Sequence, residues 1–251
     1  MRAEIAALAL VFLGIAHSVL GEKSVLRPLF RSDGWSIGVP RSAATRLLRM
    51  AWHATSIAWF ALAAIVIGTG AALTTGYACL ATALLFFLLL REHLAWPIFL
   101  AGGLAALAEG GALSAPARWS LIGVSVLIAV SAAAVHVYWA VGGKRWLDRV
   151  IPTAQSGQPA FRPGAGACLA VVAALLVYAG LIIRVGEGNA SGWESASTSV
   201  ALAILMLRAV GDGRQVGFTK SNRSTAFARA DDRVFTPLVV GLSLGAVTVL
   251  L

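Results

Sequence analysis

The sequence predicts an all-α polytopic membrane protein, with about eight transmembrane helices arranged as two parallel four-helix repeats. Three observations predict it. The first is composition: 59% of the 251 residues are hydrophobic and 12% are charged, where soluble domains carry about 25% charged residues. A 26.0 kDa chain with mean hydropathy +0.83 has too little charge for water to be its main solvent. The second is a series of apolar runs long enough to cross a hydrocarbon core, which takes roughly 20 residues. The third is the one-sided distribution of Lys and Arg along the chain.

The apolar runs cover residues 4–20, 48–69, 72–91, 95–113, 119–141, 165–184, 195–210 and 234–251. They are apolar throughout, which excludes membrane strands that alternate polar and apolar residues. Arg2 precedes the first run in the manner of a secretory leader, but no small-x-small cleavage pattern follows and the run has a counterpart later in the chain. The fourth and eighth runs open with Trp96-Pro97 and Thr236-Pro237, and proline suits a first helical turn because that N–H has no partner. Gly102-Gly103 and Gly110-Gly111 in the fourth run suit close helix packing. Gly142-Gly143 and Gly211-Asp212-Gly213 read as turns, and with no strand–helix unit after them they are not nucleotide loops.

Because the helices alternate in direction, their connections fall on two sides. One side carries Arg2, Arg118 and Arg184; the rest of the 20 Lys and Arg residues belong to the other side. The basic side is expected to be cytoplasmic, which puts both termini on the periplasmic side of a bacterial inner membrane. The stretch Lys220 to Arg233 is polar and basic and reads as a loop lying on anionic lipid or partly disordered. The net charge of +9 is thereby assigned to orientation and to anionic headgroups. No nucleic-acid module is present. The expected partners are the bilayer and another membrane protein or a second copy.

An internal repeat divides the chain into units 1–116 and 117–251. His17 matches His136 at an offset of 119 residues, Arg91 matches Arg208 at 117, and Pro97 matches Pro237 at 140, the last connection of the second unit being longer. Parallel repeats are a known transporter plan, and four-helix duplications also serve enzymes and electron carriers.

The residues able to carry chemistry gather at the cytoplasmic helix ends: His17, Glu22, Arg49, His53, Arg91, Glu92, His93, His136 and Arg208. Imidazole ligates metals or haem and shuttles protons near neutral pH, and carboxylates beside it act as general acids or bases. His17, His53 and His136 are the metal candidates; haem and a quinone-like lipid are the other cofactor readings. Against this stands the suitability of histidine for a membrane interface on purely structural grounds. There is no HExxH, no Glu-x-x-His pair and no CxxCH. Arg46, Arg49 and His53 share one helix face and suit a phosphate or carboxylate. Arg91 and Arg208 are either an anion clamp or two snorkelling side chains. Trp52, Trp96, Trp119, Trp139, Trp146 and Trp193 lie near helix ends as an aromatic belt would, with Tyr138-Trp139 after His136 as a possible wall for a planar ligand. Cys79 and Cys168 are isolated in apolar runs and read as small buried hydrophobes. Glu109 is the only acidic residue read as lying well inside a helix, so an ion-coupled pump is disfavoured.

The second half resembles a family of uncharacterised bacterial four-helix membrane proteins, catalogued as a domain of unknown function. The resemblance covers about residues 119–251 and rests on His136-Val137-Tyr138-Trp139, Gly142-Gly143, Trp146, Ile151-Pro152-Thr153, Val210-Gly211-Asp212, Val216-Gly217-Phe218 and Asp232-Arg233-Val234-Phe235-Thr236-Pro237. It implies a four-helix membrane unit and is silent on activity. The first half echoes it only at His17, Gly21, Arg91 and Pro97 and lacks the Gly-Asp loop, so a site built on that loop would exist once. The expected function is a membrane-embedded ligand-binding or redox module, with a carrier for a small or lipophilic solute and an assembly subunit of a larger complex as alternatives. Whether the chain is an enzyme stays open.

Overall fold

The computed structural model describes residues 2–35, 38–152, 161 and 163–251. Among these residues there is no strand, and eight helices are 15 residues or longer. Thr153, quoted for the resemblance above, lies outside the described residues. The chain forms two compact units, Met1–Leu113 and Ser114–Leu251.

In the first unit, α1 (Arg2–Leu20) runs without a break through a π-helical segment, Gly21–Leu26, into the short α2 (Arg27–Arg31). Pro28 is the cause of the wide turn. Its ring would collide with the carbonyl four residues back in a regular helix and it has no N–H to give. The chain takes in an extra residue, and the Arg27 N–H bonds five residues back to the Glu22 carbonyl. Helix α3 (Arg41–Val66) begins well before the apolar run does. Arg and Ala are good helix formers, so the helix extends through Arg41, Arg46 and Arg49 although those turns are not apolar. Helix α4 (Ala71–Leu90) returns, and α5 (Ala95–Glu109) ends at Glu109, before residue 113, because Gly110 and Gly111 close it. Glu109 is therefore an exposed helix end. The helices pack in a row, α1 on α3, α3 on α4 and α4 on α5. A Cβ at Gly103 would meet Leu80 at 2.9 Å and the Gly76 carbonyl at 3.1 Å, so α4 and α5 approach closely there; Gly102 faces open space.

In the second unit, α6 (Ala115–Ala140) starts four residues earlier than its apolar run, since Ser114 accepts from the Ala117 N–H and Pro116 fills the first turn. After the one-turn α7 (Leu147–Val150) come α8 (Ala165–Gly186) and α9 (Gly192–Val210). Helix α9 opens with a capping box between Ser191 and Glu194. Thr225 caps α10 (Ala226–Ala230), which passes through a π-helical segment, Asp231–Phe235, into α11 (Thr236–Leu250). The proline logic repeats: Thr236 precedes Pro237, and its N–H bonds back to the Asp231 carbonyl. Helix α11 packs on α6, α8 and α9, and α6 on α8, around Ile122, Ala129, Ile182, Leu242 and Ala246. Ser125 sits in this core, its hydroxyl bonded to the Leu242 carbonyl at 2.7 Å, as burial of a hydroxyl requires.

Five segments are long and apolar enough to cross a membrane: Ala7–Arg31, Ala71–Leu90, Ala115–Ala140, Ala165–Gly186 and Ala226–Leu250. Of the other three long helices, α5 has 15 residues and spans about 22 Å, α3 carries three arginines and His53 in its first half, and α9 opens with polar residues.

Candidate functional site

Four of the sequence-predicted residues meet in the first unit. Glu22, in the π-helical turn, takes a two-pronged ion pair from Arg49, with Nε at 3.0 Å from Oε2 and Nη2 at 2.9 Å from Oε1. Arg27 Nε adds a contact at 3.3 Å and His53 Nε2 lies 3.7 Å from the same carboxylate. The other His53 nitrogen, Nδ1, is 3.0 Å from the Ser18 hydroxyl, which donates to Ser56 at 2.8 Å. His17 lies flat on Trp52, ring centroids 4.6 Å apart and planes within 4°, with its Nε2 2.8 Å from the Thr55 hydroxyl. Trp52 Nε1 donates back to the His17 carbonyl at 2.8 Å. Gly21 makes this contact possible: a Cβ there would sit 2.0 Å from the indole nitrogen. Glu22 is held by Arg49 and Arg27, and both ring nitrogens of His53 have a neighbour, so the carboxylate and this imidazole are satisfied within the cluster. It ties α1, the π-helical turn and α3 together.

Arg91, Glu92 and His93 sit at the α4–α5 turn. Glu92 is claimed by Arg46 at 3.0 Å. Arg91 lies over the Phe87 ring at 6.0 Å and His93 Nδ1 accepts the Ala95 N–H at 3.1 Å. The shared face of Arg46, Arg49 and His53 is thus filled by the protein's own carboxylates.

In the second unit, the stretch read as an open basic loop is folded around a buried ion cluster. Asp231 is wholly enclosed. It takes Arg208 Nη2 at 2.5 Å, Lys220 Nζ at 2.9 Å, the Gly217 N–H at 2.9 Å and the Thr236 hydroxyl at 3.0 Å. Lys220, 2% exposed, also reaches Asp232 at 2.5 Å, and Arg223 closes the group at 3.0 Å from the same oxygen. Gly211 (φ +95°) and Gly217 (φ +74°) let the loop cross itself; a Cβ on Gly211 would lie 1.8 Å from the Val216 carbonyl. Asp212 accepts the N–H groups of Arg214, Gln215 and Val216 at 2.9, 2.7 and 3.0 Å. These bonds to the ionised carboxylate hold it well acidic, at about 2, against its ordinary 3.8. Arg208 is therefore taken up by Asp231. Sequence reasoning missed Asp231 and Lys220. The signal that was available was the loop's glycines and its Asx-type Asp212, which mark a folded loop.

Beside this loop lies a groove of about 770 Å³. Helix α6 gives it Ala132, Val135, His136 and Trp139; the turn at α7 gives Trp146, Arg149 and Val150; and the α10–α11 segment completes it, with Arg229, Arg233 and Leu238 among others. His136 Nδ1 donates to the Ala132 carbonyl at 2.8 Å, which leaves Nε2 without a hydrogen bond among the described residues. Trp139 stands edge-on to His136 at 5.0 Å and donates to the Arg145 carbonyl at 3.0 Å. Trp146 is in the left-handed region at φ +67°, a conformation that is sterically unfavourable for a bulky residue, and Arg145 covers its ring at 5.0 Å. Among the described side chains no carboxylate lines the groove, and none of them gives Arg233 a hydrogen bond or an ion pair.

No group of three or more His, Cys, Asp or Glu side chains is arranged to hold a metal ion among the described residues. His17 and His53 belong to the first unit and His136 to the second. Cys79 and Cys168 are free thiols, the latter buried.

Residues 127–246 match the family model described as "Protein of unknown function (DUF3995)". The match takes in most of α6 and α11 and contains both the buried ion cluster and every residue of the groove. No curated protein and no solved structure matches the chain.

Proposed function

We propose that the chain is a multi-pass protein of a bacterial inner membrane, built of two repeated units with both termini on the periplasmic side, whose second unit is a ligand-binding module. The ligand site is the groove between α6, the α7 turn and the α10–α11 segment. The observation that carries this reading is the contrast between the two polar regions. In the first unit Arg49 and His53 turn to Glu22 and Arg46 turns to Glu92, as structural groups do. In the groove, an imidazole nitrogen and an arginine have no partner among the described residues, above an apolar floor of Val135, Ala132 and Leu238. A volume of about 770 Å³ falls in the range of small-molecule sites, roughly 300–1,000 Å³.

The test is native mass spectrometry of the full chain released from mild detergent, alongside a Val135→Trp variant that fills the floor. The reading expects a retained small molecule on the parent protein and its loss from the variant. Equal retention on both, with unchanged melting, sets the groove aside. Membrane topology is tested separately by labelling single cysteines placed at Gly188 and Gly213 from one side of sealed vesicles; the two positions are expected to label from opposite sides.

A further inference from the structure

Resting on the groove reading above, we infer that its ligand is an anionic lipid, bound by a phosphate headgroup against Arg229 and Arg233 with the first part of its acyl chain on the α6 floor. Three features of the groove carry this.

The first is charge complementarity. Arg229 and Arg233 line the same cavity, and no acidic side chain among those described does. In the two other basic clusters of the protein, around Glu22 and around Asp231, carboxylates already neutralise the guanidinium groups. Arg229 uses Nη1 on the Ser224 carbonyl at 2.5 Å, and among the described residues its other N–H groups and all those of Arg233 have no acceptor. A guanidinium offers donors in a fork that matches two phosphate oxygens.

The second is the apolar lining. A free phosphate has no use for Val135, Leu238 and Val234, whereas a lipid buries its glycerol and upper chain on them. Both α6 and the α10–α11 segment are among those long and apolar enough to cross a membrane. The groove therefore lies along the ends of two such segments, where a headgroup is at the right depth.

The third is the polar pair that remains. His136 Nε2 is a single hydrogen-bonding position, suited to a phosphate or ester oxygen. Trp139 and Trp146 are amphipathic and line the same groove, as indoles do at a headgroup boundary.

The experiment uses the full chain in a neutral detergent and titrates three probes: dioctanoyl phosphatidic acid, dioctanoyl phosphatidylcholine and inorganic phosphate. Binding is read by isothermal calorimetry, with thermal melting as the check on folding. Phosphatidic acid is expected to bind about ten-fold or more tightly than phosphatidylcholine, since charge-assisted hydrogen bonds are the difference. An Arg229→Gln/Arg233→Gln variant should lose that preference while melting normally, and Val135→Trp should lose both lipids. If the two lipids bind equally and both are lost in Val135→Trp, the groove binds a ligand but the anionic assignment is overturned. If Val135→Trp melts normally and changes nothing, the groove reading falls with it. If inorganic phosphate binds as tightly as phosphatidic acid, the site belongs to a free anion and the lipid assignment is overturned.

Discussion

Lys220 Nζ lies 2.9 Å from Asp231 Oδ2 with both side chains closed off from solvent. This pair holds the loop between α9 and α10 onto the start of the helix that ends the chain. A buried charge without its partner is strongly unfavourable, whereas the pair itself contributes little over an apolar substitute. Asp231→Asn should therefore destabilise the second unit by about 3–5 kcal/mol, visible as a lower melting temperature and as exchange of the Gly217 amide. The double change Asp231→Leu/Lys220→Met should recover part of that loss. A melting curve unchanged in Asp231→Asn would mean that the cluster does not support the loop.

The contact between Gly21 and Trp52 gives a second test. Gly21→Ala would drive a methyl into the indole, displacing Trp52 from the His17 carbonyl and from its stack on the His17 ring. Overpacking of this kind costs about 1–3 kcal/mol. Trp52→Phe should then lose less when combined with Gly21→Ala than when added to the parent, because the clash and the lost bond share one cause.

Glu22→Gln removes the charge that Arg49 grips at both oxygens. Both groups are partly exposed, so the loss should be modest, about 1 kcal/mol. The variant also removes the carboxylate 3.7 Å from His53 Nε2, and thermal melting against the parent is the measurement that reads the total loss.

The Asp212 carboxylate is held at about 2 against 3.8 ordinarily. A depressed folded-state value means that its contribution is complete above the unfolded-state value and disappears as pH falls toward about 2. Amide exchange at Arg214, Gln215 and Val216, corrected for intrinsic rates, should therefore accelerate between about pH 4 and pH 2. Asp212→Asn keeps an acceptor but cannot titrate, so the acceleration should vanish in it.

The sequence was legible where physics is local. Long apolar stretches placed eight helices, Gly142-Gly143 and Gly211-Asp212-Gly213 marked turns, and Gly103 was correctly read as a point of close packing, whereas Gly110-Gly111, read the same way, close α5. Helix starts were misplaced wherever apolarity and helicity part company. Arg41, Arg46 and Arg49 belong to α3 because a helix needs propensity, not oil. Among the candidate residues, His17, Glu22, Arg49 and His53 do come together, yet their spacing in sequence could not show that Arg49 and His53 both turn to Glu22. Asp231 was hidden for a different reason. In sequence it belongs to a polar stretch, and only the crossing of the loop at Gly211 and Gly217 turns that stretch inward. Arg229 and Arg233 look like any positive flank until the folded loop places them on the same wall as His136.

The wide turn at Asp231–Phe235 makes chain length here as consequential as chemistry. Pro237 and the additional residue of that turn are a matched pair. Removing one residue alone would return the proline ring to the carbonyl it avoids. Replacing Pro237 alone would leave the surplus residue in place without its cause. Making both changes would yield an ordinary α-helix, but one whose first part, Ala226–Ala230, is turned by about 100° relative to α11. Arg229 would then leave the groove, and the segment that packs against α7 would present another face. The segment should therefore accept many substitutions of side chain on its exposed positions and almost no insertion or deletion.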